Sequence, residues 1–256
     1  MSIGKRGLLS DRRAVITGGS RGIGAAIAAL FAEEGADLAI CHLGDHAGAA
    51  KLADRVTATG RKIHVSETDV ADATAVDAFA AWVHDTLGPP DILVNCAGIG
   101  GADKPFESVS IEDWDRMIGV NLRGVFLTTR TFYPGMVARG YGRIVNIASQ
   151  LAYKGAPGLA PYVAAKAGVV GLTRALSYEG APHNVMVNGI APGPVNTPLL
   201  EAHSADWLAM KKGQLPLGRF GEPDEIAPTA LLLASEKGAA FYCGQTLSPN
   251  GGDVMV

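Results

Sequence analysis

The strongest constraint on this chain is a regular alternation of short, apolar, β-branched runs with longer stretches of helical periodicity. Residues 13–17 (Arg-Ala-Val-Ile-Thr) read as a buried strand, after which Ile23, Ile27, Leu30 and Phe31 recur at helical spacing until Gly35. Further strands are expected at 38–41, 63–65, 92–95, 143–147, 185–190 and 246–248. Helical patterns fall between them at 47–59, 76–87, 160–179 and 226–235. Ser110 with Asp113 three residues on looks like a capping box opening one long helix through Val137. Apolar strands separated by helices imply a parallel sheet covered on both faces. The expected fold is therefore a doubly wound α/β three-layer arrangement around a central, mostly parallel, seven-stranded sheet.

The 256 residues lie between one and two typical domains, but a large α/β sheet can use about 250 residues for one core. With no repeat, linker or low-complexity tract, a single domain over residues 1–256 is expected. Apolar residues make up 48% and charged residues 18%, enough for a sizeable core. The net charge of −3 lacks the basic excess that phosphate neutralisation requires, so no nucleic-acid partner is expected. Leu8 and Leu9 are followed at once by Asp11, Arg12 and Arg13, and no run approaches the roughly 18 apolar residues of a membrane span. Cys41, Cys96 and Cys243 are odd in number and lack CxxC spacing, which reads as reduced thiols and a cytoplasmic location. Cys41, His42 and His46 do not complete a four-ligand set, so no metal is expected.

Between the first strand and the first helix lies Thr17-Gly-Gly-Ser-Arg-Gly-Ile-Gly24. Glycines there let the backbone turn tightly and approach a pyrophosphate, whose charge meets the free N–H groups of the helix N-terminus. Position, after a strand and opening a helix, is what makes the loop a dinucleotide-site candidate.

Tyr162 and Lys166, four apart in a helical pattern, share one helix face. An ammonium about 5 Å from a phenol offers roughly 3 kcal/mol at an effective dielectric of about 20, which would lower the phenol pKa by about 2 units. Ser149 ends the fifth strand at the carboxyl edge of the sheet, where open α/β folds bind ligands. Asn121 sits in a predicted helix although asparagine is a poor helix former, which suggests a distortion or a polar task.

Taken together, these residues resemble the short-chain dehydrogenase/reductase family over essentially the whole chain, and within it are similar to the 3-oxoacyl-acyl-carrier-protein reductases. The matching set is the 17–24 loop, Asp69-Val70, Asn95-Cys-Ala-Gly98, Asn121, Ser149, Tyr162 with Lys166, Pro192-Gly193 and Asn250-Gly-Gly252. The resemblance implies a Rossmann-type fold and a catalytic tetrad of Asn121, Ser149, Tyr162 and Lys166. Ser149 would position a substrate carbonyl oxygen and Tyr162 exchange its proton. Lys166 would hold the nicotinamide ribose, and Asn121 a relay water. A nicotinamide cofactor would lie along Gly18, Ser20, Arg21, Gly22, Ile23 and Gly24. Its adenine would meet Asp69 and Val70, its ribose Asn95, Ala97 and Gly98, and its carboxamide the stretch of Pro192, Gly193, Val195 and Thr197. Cys96 stands where the family commonly carries a second asparagine. Family habit also implies a homotetramer built on the helices at 110–137 and 160–179.

NADP(H) is favoured over NAD(H), because the acidic residue that accepts from a 2′-hydroxyl at the end of the second strand is here His42. Arg21 can pair with a 2′-phosphate, and a protonated His42 would add a second cation. The expected substrate is a small ketone, polyol or sugar exchanged with its alcohol, under a substrate lid at about 196–215 that contains Trp207, Leu208 and Met210. Carrier-bound 3-oxoacyl chains are the alternative, weakened because 99–103 lacks an arginine and Tyr178 replaces a basic residue. A non-catalytic nucleotide-binding regulator is a further alternative, as is a sugar-nucleotide epimerase, which would need a longer C-terminal substrate domain and a different glycine spacing.

Overall fold

The computed structural model describes residues 7–101, 104–201 and 203–255. Lys5 and Arg6, and the Ala102 and Asp103 end of the arginine-free segment, lie outside them. Seven strands form one sheet: β1 (Arg13–Thr17), β2 (Asp37–His42), β3 (Ile63–Glu67), β4 (Ile92–Asn95), β5 (Gly142–Ile147), β6 (Val185–Ile190) and β7 (Thr246–Leu247). Their order is β3-β2-β1-β4-β5-β6-β7, and every pairing is parallel. The fold is the doubly wound α/β class expected from the alternation. The order reverses between β1 and β4, and at that switch the carboxyl ends of neighbouring strands open a crevice.

Alternation along β1 shows how the two faces are filled. Ala14 and Ile16 join a cluster with Ile27 and Phe31 of α1 (Gly22–Glu33) and Ile226 and Leu233 of α10 (Pro223–Ala234). Val15 points the other way, into a cluster with Phe79 of α3 (Ala73–Thr86) and Phe132 and Met136 of α5 (Gly124–Arg139). Period-two burial on a two-sided sheet is what makes these strands read as continuous apolar runs. On the helices expected to meet in an oligomer, Phe126 and Tyr178 are exposed.

The helix expected from Ser110 through Val137 is not uniform. It comprises α4 (Ile111–Ile118), a π-helical turn (Gly119–Arg123) and α5. Ser110 caps α4 by accepting from the Asp113 N–H at 3.1 Å. The wide turn is centred on Asn121, the residue whose poor helix propensity marked the place. The helix expected from Ile226 begins three residues earlier, where Glu222 and Glu225 form a capping box and Pro223 occupies the first turn. Three short helices went unforeseen: α6 (Leu151–Lys154), α8 (Pro198–Glu201) and α9 (Ala205–Gln214). The remaining helices are α2 (His46–Ala58) and α7 (Ala160–Gly180).

A chain of buried side-chain hydrogen bonds crosses the layers beneath the crevice. The Thr128 hydroxyl on α5 donates to Asn95 Oδ1 at 2.6 Å, and Asn95 Nδ2 donates to Asn146 Oδ1 at 2.8 Å and Thr129 Oγ1 at 2.9 Å. Asn146 Nδ2 then donates to Thr173 Oγ1 on α7 at 2.9 Å. Satisfied polar networks in a dry interior specify one arrangement, and a break strands every remaining partner. Asn146→Leu should therefore cost about 2–4 kcal/mol by orphaning Asn95 and Thr173. A lowered urea midpoint with unchanged m-value checks this, and a wild-type midpoint would contradict it.

Candidate active site

β1 and β4 are tied at their carboxyl ends by the Thr17 hydroxyl, which accepts from the Cys96 and Ala97 N–H groups at 3.1 Å each. From Thr17 the chain turns through Gly18, Gly19 and Ser20 into α1. Gly22 has φ +54°, and a Cβ at Gly24 would lie 2.2 Å from the Gly18 carbonyl oxygen, so neither tolerates a side chain. Arg21 is the extended N-cap of α1 and makes no side-chain cap bond, which leaves the first-turn N–H groups of Gly22, Ile23 and Gly24 without a side-chain acceptor. That is the donor set an anion at a helix N-terminus requires. Thr197 packs against this turn, since a Cβ at Gly22 would meet its Cγ2 at 3.2 Å.

The four residues of the expected tetrad come together beyond this loop. Asn121 is fully buried, its Oδ1 accepting from the Ile99 N–H at 3.1 Å and its Nδ2 donating to the Ile99 carbonyl at 3.0 Å. The π turn thus presents one amide to both backbone groups of the β4 exit loop. Lys166 on α7 reaches under the sheet edge and donates to the Ile147 carbonyl at 2.8 Å. Its Nζ lies 5.8 Å from the Tyr162 ring centroid. A Cβ at Gly98 would fall 2.7 Å from Asn121 Oδ1 and 3.6 Å from Lys166 Nζ, so Gly98 is the floor between them. Ser149 stands just before α6, its hydroxyl accepting from the Leu151 N–H at 3.2 Å.

Charge in this pocket is governed by burial. Desolvation pulls the Lys166 ammonium down to about 8, and it pushes the Cys96 thiol beside it up to about 11, so Cys96 stays neutral. Burial also raises the Tyr162 phenol above its ordinary 10, while the Ser149 hydroxyl beside it works to lower it. The lowering expected from Lys166 alone is therefore not the net result in the free protein. A lone ammonium in water-poor surroundings loses part of its own ionisation before it can depress a neighbour.

The other expected residues divide by environment. Asp69 accepts from the Ala71 N–H at 2.9 Å, and Val70 packs on the start of α5 against Gly124. Asn95 gives its whole side-chain amide to the buried chain described above, which leaves only its backbone for a ligand. Gly193 is pressed onto Asn250 and donates to the Pro249 carbonyl at 3.1 Å, close to Pro192. Val195 bridges to Gly221. His42 is buried at the end of β2, its Nδ1 accepting from the Asp45 N–H at 3.2 Å.

Asp45 itself was missed. It caps α2 through the Gly48 N–H at 3.2 Å, and the Ser20 hydroxyl beside it, with smaller help from Arg21, holds its carboxyl below the usual range. An N-cap aspartate directly before the helical pattern was the available signal. Beside Tyr162 opens a cavity of about 380 Å³ that also reaches Ile99, Met117 and Leu159, with Lys104 and Arg116 on its wall. Lys104 is paired with Asp113 at 2.5 Å. Among the described residues, no group of three or more histidine, cysteine, aspartate or glutamate side chains is placed to hold a metal. No described helix is long and apolar enough to cross a membrane.

A parallel sheet of this order, with a glycine turn opening α1 at the switch point, defines a Rossmann-type nucleotide-binding protein. The model of the short chain dehydrogenases matches residues 12–207, and the chain belongs to that family of NAD(P)(H)-dependent oxidoreductases. It is 43% identical over 245 residues to an acetoacetyl-CoA reductase of Rhizobium meliloti, covering 94% of this chain and 98% of the relative. It is 38% identical over 244 residues to the 3-oxoacyl-acyl-carrier-protein reductase FabG of Staphylococcus aureus, covering 95% and 98%. A crystal structure of levodione reductase superposes with a TM-score of 0.91 at 32% identity, covering 95% of this chain and 98% of that one.

The depressed Lys166 has a consequence for stability. Between pH about 8 and 10.5 the unfolded chain holds a proton that the native Lys166 has lost, so stability rises with pH across that window. Relative to Lys166→Met, the wild type should gain up to about 3 kcal/mol from pH 7 to 10.5. Denaturant titrations of both proteins at several pH values check this, and a flat or falling difference would contradict it.

Proposed function

We propose that the protein interconverts a ketone and a secondary alcohol with Tyr162 as general acid/base. The observation that carries this reading is the convergence of Ser149 and Lys166 on Tyr162, which lines the cavity. A bound nicotinamide would supply or accept the hydride. The chain's own work is to hold and move protons. Ser149 would donate to the carbonyl oxygen, and the Tyr162 phenol would pass its proton to that oxygen during reduction. Lys166 has given one of its three N–H groups to Ile147, and the other two would serve the cofactor ribose and the phenol side of the pocket. Asn121, clamped on Ile99, would keep the β4 exit loop open for a relay water.

The cavity suits a small ketone, polyol or sugar, because its wall mixes Val109, Met117 and Leu159 with charged Lys104, Asp113 and Arg116. A 3-oxoacyl thioester is the second reading. The two relatives, an acetoacetyl-CoA reductase and a 3-oxoacyl-acyl-carrier-protein reductase, favour it, and Lys104 and Arg116 would offer cations to an acidic carrier. Comparing kcat/KM for acetoacetyl-CoA with that for small diketones and sugars separates the two.

NADP(H) remains the favoured cofactor. Arg21 is exposed at the turn, where a guanidinium can pair with a 2′-phosphate, while the Asp45 carboxylate is turned onto the Gly48 N–H as a cap. Asp45 nonetheless brings a negative charge to the same region, so selectivity is a balance between two side chains.

Tyr162→Phe should lower kcat by about 10²–10⁴-fold while leaving cofactor Kd largely intact, since the ring stays and the proton goes. Turnover near wild type would refute the assignment. For the cofactor, Arg21→Ala should reduce the preference for NADPH over NADH, and Asp45→Asn should raise it. Steady-state kinetics with both nicotinamides read this out, and a wild-type preference for NADH would overturn it.

A further inference from the structure

We propose that Asp253 is a positioning residue whose carboxylate clasps α9 to the backbone that carries Ser149, and so shapes the mouth of the substrate cavity. The inference rests on the carbonyl-reductase reading above for its catalytic consequence, but not for its geometry.

Local structure delivers the carboxylate. The Asn250 side chain accepts from the Gly252 N–H at 2.9 Å and donates to Ser248 Oγ at 2.9 Å and the Val254 carbonyl at 2.6 Å. Gly251 and Gly252 follow with φ of +68° and +87°, two consecutive conformations that residues with a Cβ adopt only under strain. The reversal turns Asp253 inward until its side chain is only 6% exposed.

Three donors from different parts of the chain meet it. Lys154 of α6 lies at 2.7 Å, and Lys211 of α9 at 2.7 and 2.9 Å from the two oxygens. The amide of Gln150, the residue after Ser149, donates to the same carboxylate. Burial works to raise the Asp253 carboxyl, but Lys154, Lys211 and Gln150 outweigh it and hold it below the usual carboxylate range. Exposed ion pairs contribute little, because screening and side-chain entropy cancel most of the attraction. This one differs: Lys211 is 12% exposed and the carboxylate is nearly dry, so removing the negative charge leaves ammonium groups uncompensated.

Apart from Lys212 over the Phe220 ring at 5.2 Å and Trp207 stacked on His203, α9 is held by few contacts of its own side chains. None of the residues 205–214 is buried, and Met210 is exposed. Its flanks lead to the site: Leu199 of α8 crowds Gly100, where a Cβ would fall 2.7 Å from its Cδ1, and Gly100 lines the cavity beside Tyr162. After α9, Pro216 packs on Gly252 and the Leu217 N–H donates to the Gly251 carbonyl at 3.3 Å. The clasp therefore joins α9, whose flank reaches the cavity through Leu199, to the segment that follows Ser149, by charge together with the packing of Pro216 on Gly252.

The test is Asp253→Asn, which keeps the shape and removes the charge. Hydrogen exchange over residues 205–214 should become faster in the free protein, KM for the carbonyl should rise about tenfold, and kcat and cofactor Kd should change by less than about twofold. Asp253→Glu should recover most of the loss, which a packing defect would not. Lys211→Gln should loosen the same segment from the other side, and it decides the matter if Asp253→Asn does not fold. Unchanged exchange over 205–214 in a folded variant would overturn the clasp. Faster exchange with an unchanged KM would overturn its role in substrate binding. If exchange quickens but the wild type turns over no carbonyl, the clasp stands and the carbonyl-reductase reading fails.

Discussion

Everything at the site depends on the buried hydrogen-bond chain from Thr128 through Asn95 and Asn146 to Thr173. It couples α5, β4, β5 and α7, and these are the elements that carry or flank Asn121, Ser149, Tyr162 and Lys166. Apolar packing alone fixes volume and patterning but permits small slides of helix over sheet. Directed amide and hydroxyl bonds do not, because a slide would leave a donor without an acceptor in a dry interior. The Lys166 bond to the Ile147 carbonyl is a separate tie between α7 and the end of β5, and it fixes the ammonium there.

The electrostatics follow from the same dryness. Burial brings Lys166 to about 8 and lifts both the Cys96 thiol and the Tyr162 phenol. A phenol held up in the free protein keeps its proton at neutral pH. Cys96 shows how a departure from the family pattern is accommodated: its backbone N–H still meets Thr17, and its neutral thiol adds no counter-charge to Lys166.

Much of this was legible before any coordinates. The strand and helix alternation yielded the seven strands and the layer arrangement, because β-branched runs and 3.6-residue stripes report burial directly. The glycine turn was readable because only glycine fits there. Asn121 was readable as an anomaly, and the π turn is its physical explanation. The short helices α6, α8 and α9 were not readable, since four- to ten-residue segments with no buried stripe leave no periodic trace. The Asp45 contact with the Ser20 region was hidden for another reason: counting along β2 finds the residue at the strand end, not the cap that folds back towards the loop.

The sequence by itself determined the fold class, the family and the roster of chemically able side chains, because these rest on local periodicity and on residue types that few backbones accept. Only the tertiary structure decided how those side chains are charged and what they touch. It showed the Asn95 amide given to the core, His42 Nδ1 accepting from the Asp45 N–H, and Tyr162 raised rather than lowered. It also brought Asp253 to Lys154, Lys211 and Gln150 across a separation of 42 to 103 residues. Contacts of that range and the desolvation that sets a pKa are properties of the packed interior, and no spacing along the chain encodes them.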